Sequence, residues 1–475
     1  MRPVLWEGLL PTGRDCIEGK HAMASQRRGV QGARVWRVVA VMVAASRWVV
    51  PCWGQLEFER APISYHQAEV SDPVARLQAK IDAGRERLEY DADFGYLKSL
   101  LERLDVPISS QGLVYSKTSF QLKRIDPRHP RAVYFNDRVY IGFVQQGDVL
   151  EVASVDPRNG VVFYTLSQRR TDRPKFVRDR GQCLTCHASS RTAGVPGVLV
   201  RSVLVSPAGQ LMLGTRAYTT DHRSPLRERW GGWYITGRHG SDYHMGNITI
   251  ARRSDADQID LAAHANLESL DGLVDTTPYL SPYSDLVALM VLEHQTQVQN
   301  RITRAHFETR IARHYDQVMN EMLERPDDYQ SDTTKRRIDR VAEQLVDYLL
   351  LVDEYHLVSP VRGPSRFAEE FQQRGPRDHR GRSLRDLDLK TRLFKYPCSY
   401  LIYSPSFDAM PSAVRRVVYD KLWAVLTGKD TRSKYGHLSP ADRRAILEIL
   451  RETKPNLPAS WRATSAPKGG GVSRS

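Results

Sequence analysis

The residues best suited to chemistry lie in one short stretch, GQCLTCHASS at 181–190. Cys183 and Cys186 stand three apart, and His187 follows directly. Cys-x-x-Cys-His is the spacing with which two thiols add across the vinyl groups on one edge of a porphyrin. The same turn carries the next imidazole under the ring to the iron. The second ring nitrogen of such a histidine normally donates to a carbonyl that fixes its orientation. The pattern predicts one covalent haem c, bound by Cys183, Cys186 and His187, with His187 as a metal ligand. Three other uses compete. A thioredoxin-like dithiol prefers a strand before it and a helix nucleated at the first cysteine, whereas an arginine-rich turn leads in here. A structural zinc site wants four ligands, usually two such pairs, and the second pair is missing. A structural disulfide suits an exported chain but leaves His187 without a role. Cys398, in KYPCSY, is expected to be a buried, inert thiol.

The opposite face of the iron decides between electron transfer and ligand chemistry. Candidates after the motif are Met212, His222, His239, His244 and Met245. His244 is the leading choice as second metal ligand and Met245 the next; an open face is the alternative. Neighbouring side chains on a strand point to opposite sides, so only one of that pair can face the iron. His294 shares a helical stripe with Val287, Val291, Val298, Ile302 and Ala305, and is expected at an interface or, alternatively, against the haem. His306 and His314 are expected at the surface. Arg169, Arg170, Arg173, Lys175, Arg178, Arg180 and Arg191 surround the motif, and one or two of them would pair with haem propionates. The rest would be solvated or form a docking face for a redox partner protein. Trp230, Trp233 and Tyr234 would either cover a porphyrin edge or pack in a sheet.

The elements that must position these groups follow from patterning. Residues 1–54 are expected to be an export signal with its true start at Met23: Arg27, Arg28, Arg34 and Arg37 precede the apolar run Val38 to Ala45. That run is too short to span a bilayer, so no integral membrane span is expected after signal removal, and the location expected is the periplasm. Residues 55–109 should be an N-terminal helical segment. Residues 110–259 are β-rich, with aromatic runs such as RAVYFND, VYIGFVQQ, VLEVASVD and GVVFYTL separated by turn residues. Strands are also expected in LVYSKTSFQL, GGWYITG and GNITIA. A helical region at 260–357, an exposed loop at 358–385, a helical region at 386–463 and a disordered tail at 464–475 complete the chain. The fold class is α+β: a central antiparallel, haem-bearing β domain flanked by N-terminal helices and a mostly helical C-terminal region.

The net charge is +14 over 475 residues, of which the first 52 hold eight basic and three acidic groups, or +5. The remaining +9 is modest and lacks zinc-finger spacing or an aromatic-laced basic stripe, so no nucleic-acid partner is expected.

In GQCLTCHAS the chain resembles mono-haem cytochromes c at their attachment site. It is also similar to exported bacterial proteins that carry a cytochrome c domain. Over residues 110 to 250 it resembles PAS-like haem c sensor domains, in which Cys-x-x-Cys-His hangs from an antiparallel sheet. These resemblances imply roles for Cys183, Cys186 and His187 only. Three functions are consistent with them: periplasmic electron transfer, a haem c-dependent oxidoreductase acting on a small redox substrate, and a haem-based sensor.

Overall fold

In the computed structural model, which describes residues 56–462, alternating aromatic and β-branched residues build the sheet. The expected export signal and the expected tail lie outside these residues. The strands are β1 (Gly112–Val114), β2 (Arg131–Phe135), β3 (Val139–Phe143), β4 (Val149–Asp156), β5 (Gly160–Ser167), β6 (Phe176–Arg178), β7 (Val200–Val203), β8 (Ala217–Thr220) and β9 (Trp233–Tyr234). Seven of them form one antiparallel sheet in the order β6-β5-β4-β3-β2-β1-β9, and β7 and β8 pair separately. The β4–β5 hairpin runs from Val149↔Ser167 to Asp156↔Gly160. Its turn closes because Asp156 Oδ1 accepts from the Arg158 and Asn159 amides, and Gly160 supplies a φ of 71°.

The helices are α1 (Pro73–Asp82), α2 (Leu97–Arg103), α3 (Leu184–His187), α4 (Leu286–Met322), α5 (Asp332–Leu349), α6 (Phe367–Gln373), α7 (Pro405–Asp408), α8 (Ser412–Leu426), α9 (Pro440–Thr453) and α10 (Ala459–Arg462). The fold is therefore α+β. Period-two alternation gives the large sheet two apolar faces. Val162, Tyr164 and Leu166 join α1 and α2 residues on one side. Val161, Phe163, Tyr140 and Val114 join α4 and the C-terminal helices on the other. Asp285 caps α4 by accepting from Val287 and Ala288. From there α4 is buried on every side through LVALMVLEHQTQVQN, sheet on one flank and later helices on the other.

Several expected elements differ. LVYSKTSFQL is a strand only to Val114; a turn follows, then a short 3₁₀ segment at Leu122–Arg124. GNITIA is irregular, although Asn247 and Ile250 donate single backbone bonds to Trp233 and Val205. Helix in the 260–357 stretch begins only at Leu286. Residues 358–385 are no exposed loop: α6 buries Phe367 and Phe371 in the main core, and Leu384 joins them. Their polar composition masked three apolar anchors. From Leu56 onward the chain is one compact unit, α4 sharing a core with both the sheet and the C-terminal helices. No helix among the described residues is long and apolar enough to cross a membrane.

Candidate functional site

The Cys-x-x-Cys-His turn is a single helical turn, α3, anchored at both ends. Asp179 Oδ2 accepts from the Gly181 and Cys183 amides at 2.8 and 3.0 Å, which fixes the entry to the turn. Leu184 and Ala188 are buried in the main core. Cys183, Cys186 and Cys398 are free thiols; Cys183 is partly buried and Cys186 exposed. Burial, with Asp179 and Glu151 nearby, pushes the Cys183 thiol up to about 12. Cys398 is fully buried and raised to about 12 by burial alone.

His187 Nδ1 lies 2.9 Å from the Gly197 carbonyl oxygen, so Nδ1–H donates and Nε2 keeps its lone pair. The imidazole packs against the Phe163 ring of β5 at 4.9 Å between centroids. Burial holds its pKa below the ordinary value, which favours the neutral form needed for a ligand. The Gly197 carbonyl is itself fixed. Asn300 Nδ2, on α4, donates to the neighbouring Val198 carbonyl at 2.9 Å, and the Gly197 amide donates to the His187 carbonyl. Arg131 of β2 and Glu151 of β4 pair at 2.9 Å across Gly142 of β3, and both act electrostatically on His187. Two thiols on one turn and an imidazole oriented through Nδ1 are the donor set that covalent haem attachment requires.

The sequence candidates for the opposite ligand make no hydrogen bond or ring contact with His187, whose own partners are Gly197 and Phe163. His244 is buried against Trp230 and His239, at ring separations of 5.6 and 4.8 Å, and its Nδ1 accepts from the Gly246 amide. No hydrogen bond or ring contact joins it to His187. Met245 sits in a separate cluster with Leu204 and Ile248, its sulfur accepting from Ser202. Met212 packs against the edge of that cluster. His239 Nε2 accepts from the Asn266 amide. Among the described residues no group of three or more His, Cys, Asp or Glu side chains is arranged to hold a metal ion. Of the arginines, Arg178 binds the Tyr65 and Ala68 carbonyls, while Arg169, Arg170, Arg173, Lys175, Arg180 and Arg191 are exposed. Trp233 and Tyr234 belong to the sheet. Trp233 Nε1 donates to the Arg201 carbonyl and the Tyr234 hydroxyl to the Pro127 carbonyl.

His222 and His294 meet in a second centre that the sequence did not assemble. Their Nδ1 atoms are 3.2 Å apart, so one ring donates to the other, and His294 Nε2 reaches Ser399 Oγ at 2.8 Å. Burial lowers both, His222 to about 4, which leaves two neutral imidazoles. Arg229 pairs with Glu293 at 3.0 Å, both almost completely buried. Burial outweighs Arg229 and lifts the Glu293 carboxyl to about 7. Asp221 holds Arg223 at 2.8 Å and accepts from the Tyr348 hydroxyl. Beside them a small cleft is lined by His222, Arg229, Met290, Glu354, Tyr355 and Leu393. One sequence signal could have disclosed this centre. Glu293 interrupts an apolar run, LVALMVLEHQ, where a charged residue needs a buried partner. His306, expected at the surface, is only 4% exposed, because helices pack on both flanks of α4 rather than along one stripe.

No family profile, no curated protein and no solved structure matches this chain.

Proposed function

We propose that this chain is an exported c-type haem protein that carries electrons in the periplasm through one covalently attached haem. Cys183 and Cys186 would supply the thioether sulfurs and His187 Nε2 the iron ligand. A haem held there supplies a one-electron ferrous/ferric couple. The observation that carries the proposal is the 2.9 Å bond from His187 Nδ1 to the Gly197 carbonyl, on the same turn as two free thiols. It fixes the imidazole and leaves Nε2 as the donor. The protein's own work is orientation and polarity: Asp179 holds the turn, Phe163 packs on the imidazole, and Arg131 with Glu151 sets the nearby charge. His244 is proposed as the second ligand only as the leading sequence candidate. The exposed basic groups at 169–180 and Arg191 would face the redox partner.

The test is expression with export and a cytochrome c maturation system. Intact mass and a pyridine haemochrome spectrum should report one thioether-bound haem in the wild type and none in C183A/C186A. Polypeptide of bare mass without Soret absorbance would refute it.

A haem c-dependent oxidoreductase is the second reading, favoured by the buried centre of His222, His294, Arg229 and Glu293. Rapid binding of carbon monoxide to the ferrous protein would support it, or a sensor, over a carrier. A fixed six-coordinate spectrum would remove both.

A further inference from the structure

The last turns of α4 emerge from the enclosure that surrounds its first half. Tyr315, Val318, Met319, Met322 and Leu323 are all exposed, at the three- and four-residue spacing that puts side chains on one face of a helix. Such a stripe ordinarily faces a core, and here it faces water. The adjoining face is closed off. Asp316 accepts from the Ser331 amide and hydroxyl, and Asn320 Nδ2 donates to the Tyr329 carbonyl. Those bonds draw the following segment back along the helix and bring in Tyr329, also exposed, with Arg325 over its ring at 5.0 Å. The helix end is therefore held in place with its apolar stripe outward. The six large side chains are 42–71% exposed, and at about 200 Å² for each when bare they present roughly 600 Å² per copy. That is the upper end of the largest apolar patch found on monomers.

We propose that this stripe is a dimer interface, its occupant being α4 of a second copy laid antiparallel. The stripe is self-complementary: Tyr315 and Met322 lie equally far on either side of the midpoint between Val318 and Met319. A two-fold axis through that midpoint sets Tyr315 of each copy against the partner's Met322, and Val318 against the partner's Met319. No charged residue lies on the stripe itself, as suits the centre of an interface. The polar rim agrees with the same axis. At about 100° per residue, His314 and Glu321 fall on one flank of the stripe, towards opposite ends. An antiparallel pair brings equal flanks together, so His314 of each copy approaches the partner's Glu321. Among the described residues neither forms an ion pair within its own chain. Two copies would cover about 1,200 Å², the lower edge of specific interfaces, which fits reversible association at micromolar concentration. A lipid surface fits less well, because Glu321, Glu324, Asp327 and Asp328 are exposed at this end of α4 and anionic headgroups repel them.

The experiment is sedimentation equilibrium of the purified exported protein from about 1 to 100 µM. The mass should rise from monomer towards dimer across that range. M322E puts a carboxylate opposite the partner's Tyr315 at a position exposed in the single chain, and should weaken association about tenfold or more with an unchanged far-UV circular dichroism spectrum. R313E, on the far face of the same helix, should leave association unchanged. Hydrogen exchange of the wild type at the two ends of the concentration range locates the contact. Slower exchange at the high end should be confined to peptides from 311–330. Protection confined to other segments, or M322E associating as tightly as the wild type, overturns the interface. A wild type that stays monomeric at about 100 µM also overturns it. Flotation of that monomer with phosphatidylglycerol vesicles would then assign the stripe to a lipid surface. None of these readouts depends on the group held at His187.

Discussion

Gly197 is the position where one added methyl group reports most directly on how His187 is held. A Cβ there would stand 2.0 Å from Asn300 Oδ1 and 2.8 Å from its Cγ, with Thr192 Cβ at 3.2 Å. Its φ is not in the left-handed region, so alanine strains nothing by itself. The cost of G197A is therefore the displacement of Asn300, which is 1% exposed and holds the Val198 carbonyl at 2.9 Å. Overpacking of this kind costs about 1–3 kcal/mol. Losing a buried hydrogen bond and leaving its partners unpaired adds about 1–3 kcal/mol. A destabilisation of about 3 kcal/mol follows, and with a urea slope of about 3 kcal/mol/M the midpoint should fall by about 1 M. Tryptophan fluorescence during urea unfolding measures it. The decisive comparison is the double variant, since N300A removes the atoms that the new methyl would meet. Alanine at 197 should then cost about 2 kcal/mol less in the N300A background than in the wild type. Equal costs in both backgrounds would refute the proposed contact. In haem-loaded G197A the midpoint potential should also shift, because the carbonyl that polarises His187 has moved.

Three further outcomes are expected. F163A removes the ring packed on His187 and should lower stability by about 3–5 kcal/mol in the same assay, with an altered Soret band in loaded protein. R229M strips Glu293 of its buried partner and should cost about 3–5 kcal/mol at pH 8. It should cost clearly less at pH 5, because Glu293, raised to about 7 by burial even with Arg229 present, is neutral there; a cost independent of pH would contradict this. Glu343 lies on α5, where hydrogen bonds from Lys434, Lys421 and Arg432 outweigh burial and hold its carboxyl down at about 2. Its folded pKa lies below the unfolded one, so its stabilisation is complete above the ordinary carboxylate value and is lost as pH falls towards 2. E343Q should accordingly lose stability at pH 6 and change little near pH 2 in thermal melts at both pH values.

What the sequence determined by itself is local. Cys183, Cys186 and His187 occupy one turn because three- and four-residue spacing is all that a helical turn requires. Strands β2 to β5 are legible because alternation with turn residues between is a short-range signal. The cap at Ser439 with Pro440, and the length of α4 without proline or glycine, are of the same kind. A buried Cys398 was also expected from a single segment, and it is buried. What only the tertiary structure decided is which distant residues share a space. His222 and His294 are 72 residues apart, and Arg229 and Glu293 are 64 apart. The Gly197 carbonyl is chosen for His187 by Asn300, on a helix that begins nearly ninety residues later. Periodicity cannot encode such meetings, because it fixes the face of an element but not what packs against that face. In α4 even the face was misleading. A helix enclosed on both flanks buries polar residues all round, and hydrogen bonds to the sheet, to Arg229 and to Ser399 are what make that burial tolerable.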